Sequence, residues 1–263
     1  MEEINLTIQE ILNQIEQNHN VQILLAVESG SRVWGFHSEN SDYDIRFIYK
    51  HPKNHYLSLY EPRDTIETMK QDKLLDFSGW DLRKTLKLMY KGNPALFEWI
   101  YSPIIYKCDA NFITVLKDLS KRYFQLVPMI YHYLHMAKGN YKQYFKNRTD
   151  NEGILKKYLY VIRPLLICRW LEIEKSIPPI KFDELFPYID KTISPFVYDL
   201  IEKKKGGDEM SKCLQIPELN IWIENTITHF EYNTKQFHQY DRKQNIKHLQ
   251  KSFIEILDEY EQN

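Results

Sequence analysis

Near the N-terminus, Ile4, Ile8, Ile11, Leu12 and Ile15 recur at helical spacing, which predicts an amphipathic helix over residues 4–18. The pattern then changes. Val21 to Val27 (VQILLAV) is an unbroken apolar run, long enough for a buried strand over 21–28. It runs into the small-residue turn Ser29-Gly30-Ser31, and a second strand starts where Ile45, Phe47, Ile48 and Tyr49 follow Asp42-Tyr43-Asp44. Residues 51–63 hold two prolines and little periodicity, so they read as a loop. Residues 64–69 and 73–78 read as two further strands, with a turn near Gln71-Asp72. A helix over 80–91 is closed by Gly92-Asn93-Pro94, and 94–101 forms a second, short one. Beyond about residue 110 helical patterns dominate, at 110–124, 126–147, 151–174, 194–205 and 218–260. The expected fold class is α+β: a small mixed sheet domain over 1–108, then an all-helical domain over 109–263, with the active cleft between them.

The chemistry concentrates in VESGSRVWGFHSENSDYDIRFIY, residues 27–49. Successive side chains of an extended chain point to opposite faces, so Asp42 and Asp44 share one face and Tyr43 and Ile45 the other. Two carboxylates on one face repel each other and resist burial unless a cation neutralises them. Mg²⁺, with Mn²⁺ as the alternative, suits hard oxygens and shares its shell with substrate phosphates. The turn at Gly30 exposes backbone N–H groups, Ser31 adds a hydroxyl, and together they can hold the phosphates such a metal bridges. The plain alternative is a strand–loop–strand with Asp42 closing a turn. It leaves Asp44, inside an apolar strand, unexplained.

Gly30-Ser31, ten intervening residues, Asp42-x-Asp44 and a following strand resemble the signature of the DNA polymerase beta-like nucleotidyltransferase superfamily. DFSGWDLRK (76–84), NPALFEWIYSP (93–103), AKGNY (137–141) and KKYLYVIRPLL (156–166) are similar to one branch, the predicted nucleotidyltransferases associated with RNA ligases (YcgL-like bacterial proteins). The resemblance covers about residues 21–190. It implies a third carboxylate from a neighbouring strand, which Asp76 matches, with Asp64, Glu67 and Asp72 as weaker candidates. Asp76 as a helix cap is the competing reading, though Ser78 or Asp81 would cap equally well. The resemblance also implies that Lys156 and Arg163 of KKYLYVIRP bring positive charge to the triphosphate. A buried Arg163 needs an anionic partner, and Glu172 or Glu98 is the alternative to a triphosphate.

Composition narrows the picture only modestly. The 263 residues are 43% hydrophobic and 27% charged, with a net charge of −1, so overall charge announces no nucleic-acid binder. Cys108, Cys168 and Cys213 show no metal-type spacing and read as reduced core thiols. No apolar run of membrane length and no leader pattern appear, so the expected location is the cytoplasm and no membrane is expected among the partners. Lys138, Lys142 and Lys146, continued by Arg148, fall on one helical face interleaved with Tyr141, Tyr144 and Phe145. Such a stripe either binds RNA or is a solvated face. His132 and His135 have a metal-compatible spacing but read as a packed pair. Lys203-Lys204-Lys205-Gly206-Gly207 reads as an exposed helix end. Trp80, Trp99 and Phe97 read as core, with Trp80 also a candidate nucleotide contact.

The expected function is Mg²⁺-dependent nucleotidyl transfer from an NTP (ATP among the candidates). Gly30 and Ser31 hold the β- and γ-phosphates, Asp42 and Asp44 bind two metal ions, Asp76 binds the second metal and helps deprotonate the acceptor hydroxyl, and Arg32 with Lys156 or Arg163 neutralises pyrophosphate. By the resemblance, the acceptor is an RNA end and an RNA ligase is a functional partner. The rivals are transfer to a protein or small molecule, and a non-catalytic binding module.

Overall fold

The computed structural model describes residues 2–38, 41–60, 62–70, 74–146, 152–206, 212–240 and 245–259. Asp72 and the turn expected at Gln71-Asp72, Arg148 and Gly207 lie outside the described residues. The fold is α+β. The chain divides into two compact units, one of Met1–Val33, Asp42–Tyr123 and Lys243–Asn263, the other of Trp34–Ser41 and Phe124–Arg242.

In the first unit a helix, α1 (Glu2–His19), leads into β1 (Gln22–Ser29). A one-turn helix, α2 (Ser31–Trp34), separates it from β2 (Tyr43–Lys50). After a 3-10 turn at Lys53–Leu57 come β3 (Thr65–Lys70) and β4 (Leu75–Asp81), then α3 (Leu82–Tyr90) and α4 (Pro94–Ile100). A short strand, β5 (Ile105–Cys108), precedes α5 (Ala110–Tyr123). The strands form one mixed sheet in the order β3-β4-β2-β1-β5, with β2 and β4 parallel and the other neighbours antiparallel. The edge strand β5 escapes a reading of pattern because it is four residues long and exposed at both ends. Cys108 at its end is exposed, against the expected core thiol, whereas Cys168 is buried.

The period-2 pattern decides which face of the sheet is core. Along β4, Leu75, Phe77, Gly79 and Asp81 are buried and Asp76, Ser78 and Trp80 are half-exposed. On the buried face Ile8, Ile11, Leu12 and Ile15 of α1 share one cluster with Ala26, Ile45, Phe47 and Phe77. Each such side chain removed from water contributes about 1.5–3 kcal/mol. Gly79 lets the Phe47 ring lie against the β4 backbone, since a Cβ there would stand 2.1 Å from Phe47 Cε2.

The helix expected from residue 80 starts at Leu82 instead. Trp80 and Asp81 are still paired in the sheet, Trp80 with Thr65 and Ile48, Asp81 with Tyr49. Asp81 is the cap: its carboxylate accepts from Arg83 N–H at 2.7 Å and from Tyr56 Oη–H at 2.7 Å. That removes capping as a role for Asp76.

The second unit holds α6 (Leu126–Tyr141), a π-helical turn at Lys142–Lys146, α7 (Leu155–Glu174), α8 (Ser194–Lys205) and α9 (Pro217–Asn233). A two-stranded ribbon of β6 (Glu152–Ile154) and β7 (Lys212–Leu214) was not visible as strand in the sequence, each arm being three residues long. The single helix expected over 218–260 is broken. A 3-10 turn follows α9 at Thr234–Tyr240, and α10 (Ile246–Glu259) belongs to the first unit. There Phe253 meets Tyr56 edge-on at 5.1 Å and Asp258 pairs with Lys53 at 2.6 Å. Thus α5 and α10, both assigned to the helical half on sequence pattern, pack in the sheet unit. Lys204 is buried rather than exposed, its ammonium 5.5 Å over the Phe36 ring. Among the described residues no helix is long and apolar enough to cross a membrane.

Candidate active site

The site begins where β1 ends. Ser29 stands opposite Asp44 in the antiparallel β1–β2 pair, and Asp44 stands opposite Asp76 in the parallel β2–β4 pair. One row across three strands therefore reads Ser29, Asp44, Asp76. Beside it the chain turns at Gly30, with φ +64°, and a Cβ there would stand 2.2 Å from Asp44 Oδ2. Glycine is required twice over, for a left-handed backbone and for the carboxylate that fills the space a side chain would take. Ser31 follows, half-exposed at the start of α2.

Arg46 joins the two carboxylates. It lies two residues beyond Asp44 on the same face, and its Nη2 donates to Asp44 Oδ1 at 2.8 Å and to Asp76 Oδ2 at 2.8 Å. Its Nη1 reaches the Asp76 carbonyl at 3.3 Å. Burial pushes the Asp44 carboxyl above its usual range; Arg46 pulls it down, Asp76 and Asp42 push it up, and Arg32 pulls it down. Asp42 precedes β2 and is exposed. Its carbonyl accepts from Arg32 Nε–H at 3.1 Å, and the Arg32 guanidinium lies 3.5 Å over the Tyr43 ring. Among the described residues no three His, Cys, Asp or Glu side chains converge as a ready metal-ligand set. The register joins Asp44 with Asp76, while Asp42 acts on Asp44 through its charge.

Beneath the row sits Glu28, fully buried. Its carboxylate accepts from the Asp44 backbone N–H at 2.6 Å and from Tyr106 Oη–H. Burial drives its carboxyl above the usual value, and the hydrogen bonds from Tyr106 and Asp44 hold it back. Folded Glu28 thus keeps its proton to higher pH than unfolded Glu28. The associated stability is complete below about pH 4.5 and is lost as pH rises through the folded value. Glu28→Gln removes that loss. In EDTA, urea denaturation from pH 4.5 to 7 is expected to show the variant gaining on wild type as pH rises; a constant difference sinks the assignment.

These contacts describe a sheet end that gathers two carboxylates, one cation and a glycine turn. A model of the RNA repair pathway DNA polymerase beta family matches residues 4–255. The chain belongs to that family. It is a DNA polymerase beta-like nucleotidyltransferase by family, linked to RNA repair. It is 38% identical over 250 residues to the uncharacterized protein YcgL of Bacillus subtilis (strain 168), covering 94% of each chain. Among solved structures it is similar to a nucleotidyltransferase-like protein from Exiguobacterium sibiricum 255-15, with 10% identity, a TM-score of 0.34, and coverage of 88% of this chain and 78% of that one.

The remaining candidate cations lie in the second unit. Lys156 is half-exposed in the first turn of α7. Arg163, in the middle of α7, is buried at 2% exposure. Its Nη2 donates to the Ile180 carbonyl at 3.2 Å and its guanidinium lies 4.3 Å over the Trp34 ring. Glu172, one partner considered for it, pairs with His229 at 2.7 Å. Lys138 pairs with Glu231 across to α9, while Lys142 and Lys146 are exposed on the π-helical turn. That turn breaks the α-helical spacing that placed all three on one face. The interleaved aromatic groups are mostly core: Tyr141 and Phe145 are buried, and Phe145 packs on Tyr158 at 4.1 Å. His135 Nδ1 engages the Tyr131 carbonyl at 2.7 Å, and His132 packs edge-on against Tyr133.

Arg46, Glu28 and Tyr106 were missed from sequence. Arg46 was findable, since alternation puts it on the Asp44 face. Glu28 had a weaker signal, an acid ending an apolar run. Tyr106 had none, because its role depends on β5 pairing beside β1.

Proposed function

We propose that the protein is a Mg²⁺-dependent nucleotidyltransferase that moves a nucleoside monophosphate from an NTP to a hydroxyl at an RNA end. The observation that carries this reading is the facing pair Asp44 and Asp76, bridged by one cation beside the Gly30 turn. The donors suit a hard divalent ion: they are carboxylate oxygens, about one-third exposed at 32% and 36%, and they already hold a positive group. When bound, such an ion neutralises the transferring phosphoryl group and acidifies the acceptor hydroxyl. Asp42, just before β2, is the third carboxylate that would join them on the metal.

The acceptor oxygen bonds to the α-phosphorus, the bond from that phosphorus to the bridging oxygen breaks, and pyrophosphate leaves. Asp76 takes the hydroxyl proton. Gly30 and Ser31 hold the outer phosphates, and Arg32 neutralises the leaving pyrophosphate. Lys156 is the further cation that this reading gives to the same charge. Buried Arg163 holds Trp34, at the end of the turn helix, instead of meeting solvent. Lys142 and Lys146 contribute phosphate contacts to RNA.

Two measurements test the reading. Each NTP is added with and without Mg²⁺ in a thermal-shift series, where a true ligand raises Tm by mass action. An α-³²P-labelled NTP is then offered with RNA. Label in RNA is expected; label in protein or a small molecule sinks the RNA acceptor, and no Mg²⁺-dependent shift with any NTP sinks nucleotidyl transfer.

Arg46 supports the site in the absence of metal. Arg46→Gln leaves two facing carboxylates uncompensated and is expected to cost about 1–3 kcal/mol in EDTA. Mg²⁺ should restore most of it, and Mn²⁺ binding followed by electron paramagnetic resonance should tighten. Equal Mn²⁺ affinity in variant and wild type would show that Arg46 does not share the metal's ligands.

A further inference from the structure

Within the first unit, an open cleft of 640 Å³ starts at the carboxylate row and runs along β4. Asp76, Ser78 and Trp80 lie on it in strand order, alternate residues of the half-exposed face. Glu67 and Thr68 of β3 form one wall, and Ala95 and Trp99 of α4 help to form the other. Trp80 is stacked on Trp99, with ring centroids 3.7 Å apart and planes 24° from parallel. Trp99 is buried at 5% exposure, so the pair works as a fixed shelf whose accessible part is Trp80.

We propose that this cleft is the acceptor subsite, where a base of a single-stranded RNA end stacks on Trp80 while the terminal ribose hydroxyl lies against Asp76. The inference rests on transfer at the Asp44–Asp76 pair. Spacing selects the class of acceptor. Asp76 and Trp80 are four residues apart in an extended strand, about 13 Å. A tyrosine of a protein acceptor joins ring and hydroxyl in one short unit and cannot touch both. In a nucleotide chain, ribose and phosphodiester separate a terminal hydroxyl from the neighbouring base, and that geometry spans the interval. Ser78 lies between, with a hydroxyl to meet the sugar or phosphate. Every base has a π face, so the shelf accepts any sequence. Glu67, the acid on the wall, has Arg63 within 3.4 Å to offset its charge.

The test uses the full chain, without NTP, and a labelled single-stranded pentaribonucleotide with a free 3′-hydroxyl. Base stacking on an aromatic group implies about tenfold in affinity. Trp80→Leu is expected to weaken binding by that factor, and Trp80→Phe, which keeps a flat ring and the packing on Trp99, by less than about threefold. RNA should quench the intrinsic fluorescence of wild type but not of Trp80→Phe. An abasic residue placed in turn at the last three positions should cost about tenfold at one of them in wild type, and nothing further in Trp80→Leu. Equal affinity of wild type and Trp80→Leu, quenching that persists in Trp80→Phe, or an abasic loss unchanged in Trp80→Leu overturns the proposal. So does binding of a tyrosine peptide that RNA fails to displace. Failure of label transfer in wild type overturns the reaction assigned above, and the coupling between Trp80 and the abasic position still decides the shelf on its own.

Discussion

Asp44→Asn is expected to abolish label transfer, a loss of at least about 1000-fold, while the protein stays folded. Asp44 is the carboxylate at the centre of the row, opposite Ser29 on one side and Asp76 on the other, so no neighbour can take its place. Folding tolerates the change for an electrostatic reason. Burial already raises the Asp44 carboxyl above its usual range, so its charge is held at a cost in the folded protein. Asn keeps one oxygen for Arg46, which retains Asp76. The linkage has a definite sign: the folded group binds its proton more tightly, so Asp44 costs wild type stability as pH rises above the ordinary value of 3.8, and the Asn variant lacks that one contribution. Single-turnover transfer and thermal melts in EDTA check both parts. Asp42→Asn should behave alike in transfer, and Asp76→Asn should lose at least about 100-fold in turnover with NTP affinity within a few-fold. Near-wild-type turnover in Asp44→Asn would remove the carboxylate pair from the reaction.

The second large effect comes from a single methyl group. Gly30→Ala places a Cβ in a left-handed backbone at φ +64° and 2.2 Å from Asp44 Oδ2. The backbone term alone costs about 1–2 kcal/mol. The contact is too short to persist, so either the turn or the Asp44 carboxylate moves. Displacement of a reacting group by an ångström costs about 100-fold in rate. Gly35 supplies the control, since it also has positive φ, +89°, yet nothing lies within 4 Å of a Cβ built there. Gly35→Ala should show the stability loss in urea denaturation but keep transfer within a few-fold. If both variants lose activity equally, strain in the turn is responsible and the Asp44 contact is not. If Gly30→Ala keeps full activity, the turn does not position Asp44.

The pattern of residues determined a good deal about this protein by itself. Periodicity placed α1 and α8 nearly to the residue, because each buries one face and therefore carries its period in the sequence, and an unbroken apolar run placed β1, whose residues are buried on both faces. Alternation put Asp44, and unnoticed Arg46, on one face of β2. The Gly30-Ser31 and Asp42-x-Asp44 spacing pointed to the superfamily of the family whose model then matched residues 4–255. Other features belong to pairings between distant segments. Asp76 meets Asp44 only because β2 and β4 lie parallel in one register, bringing together residues 32 positions apart. Its competing role as a cap disappeared when the sheet carried β4 through Trp80 to Asp81. The same extension set Trp80 on the face of Asp76. In the helical unit, the lysine stripe and its aromatic neighbours looked alike in sequence. Packing buried Tyr141 and Phe145 against their neighbours, paired Lys138 with Glu231, and left Lys142 and Lys146 in solvent. Lys204 is buried, with its ammonium over the Phe36 ring. A local period records which face of an element turns inward; which side chains meet there is set by strand register and by burial against elements far away in the chain, and that depends on the folded whole.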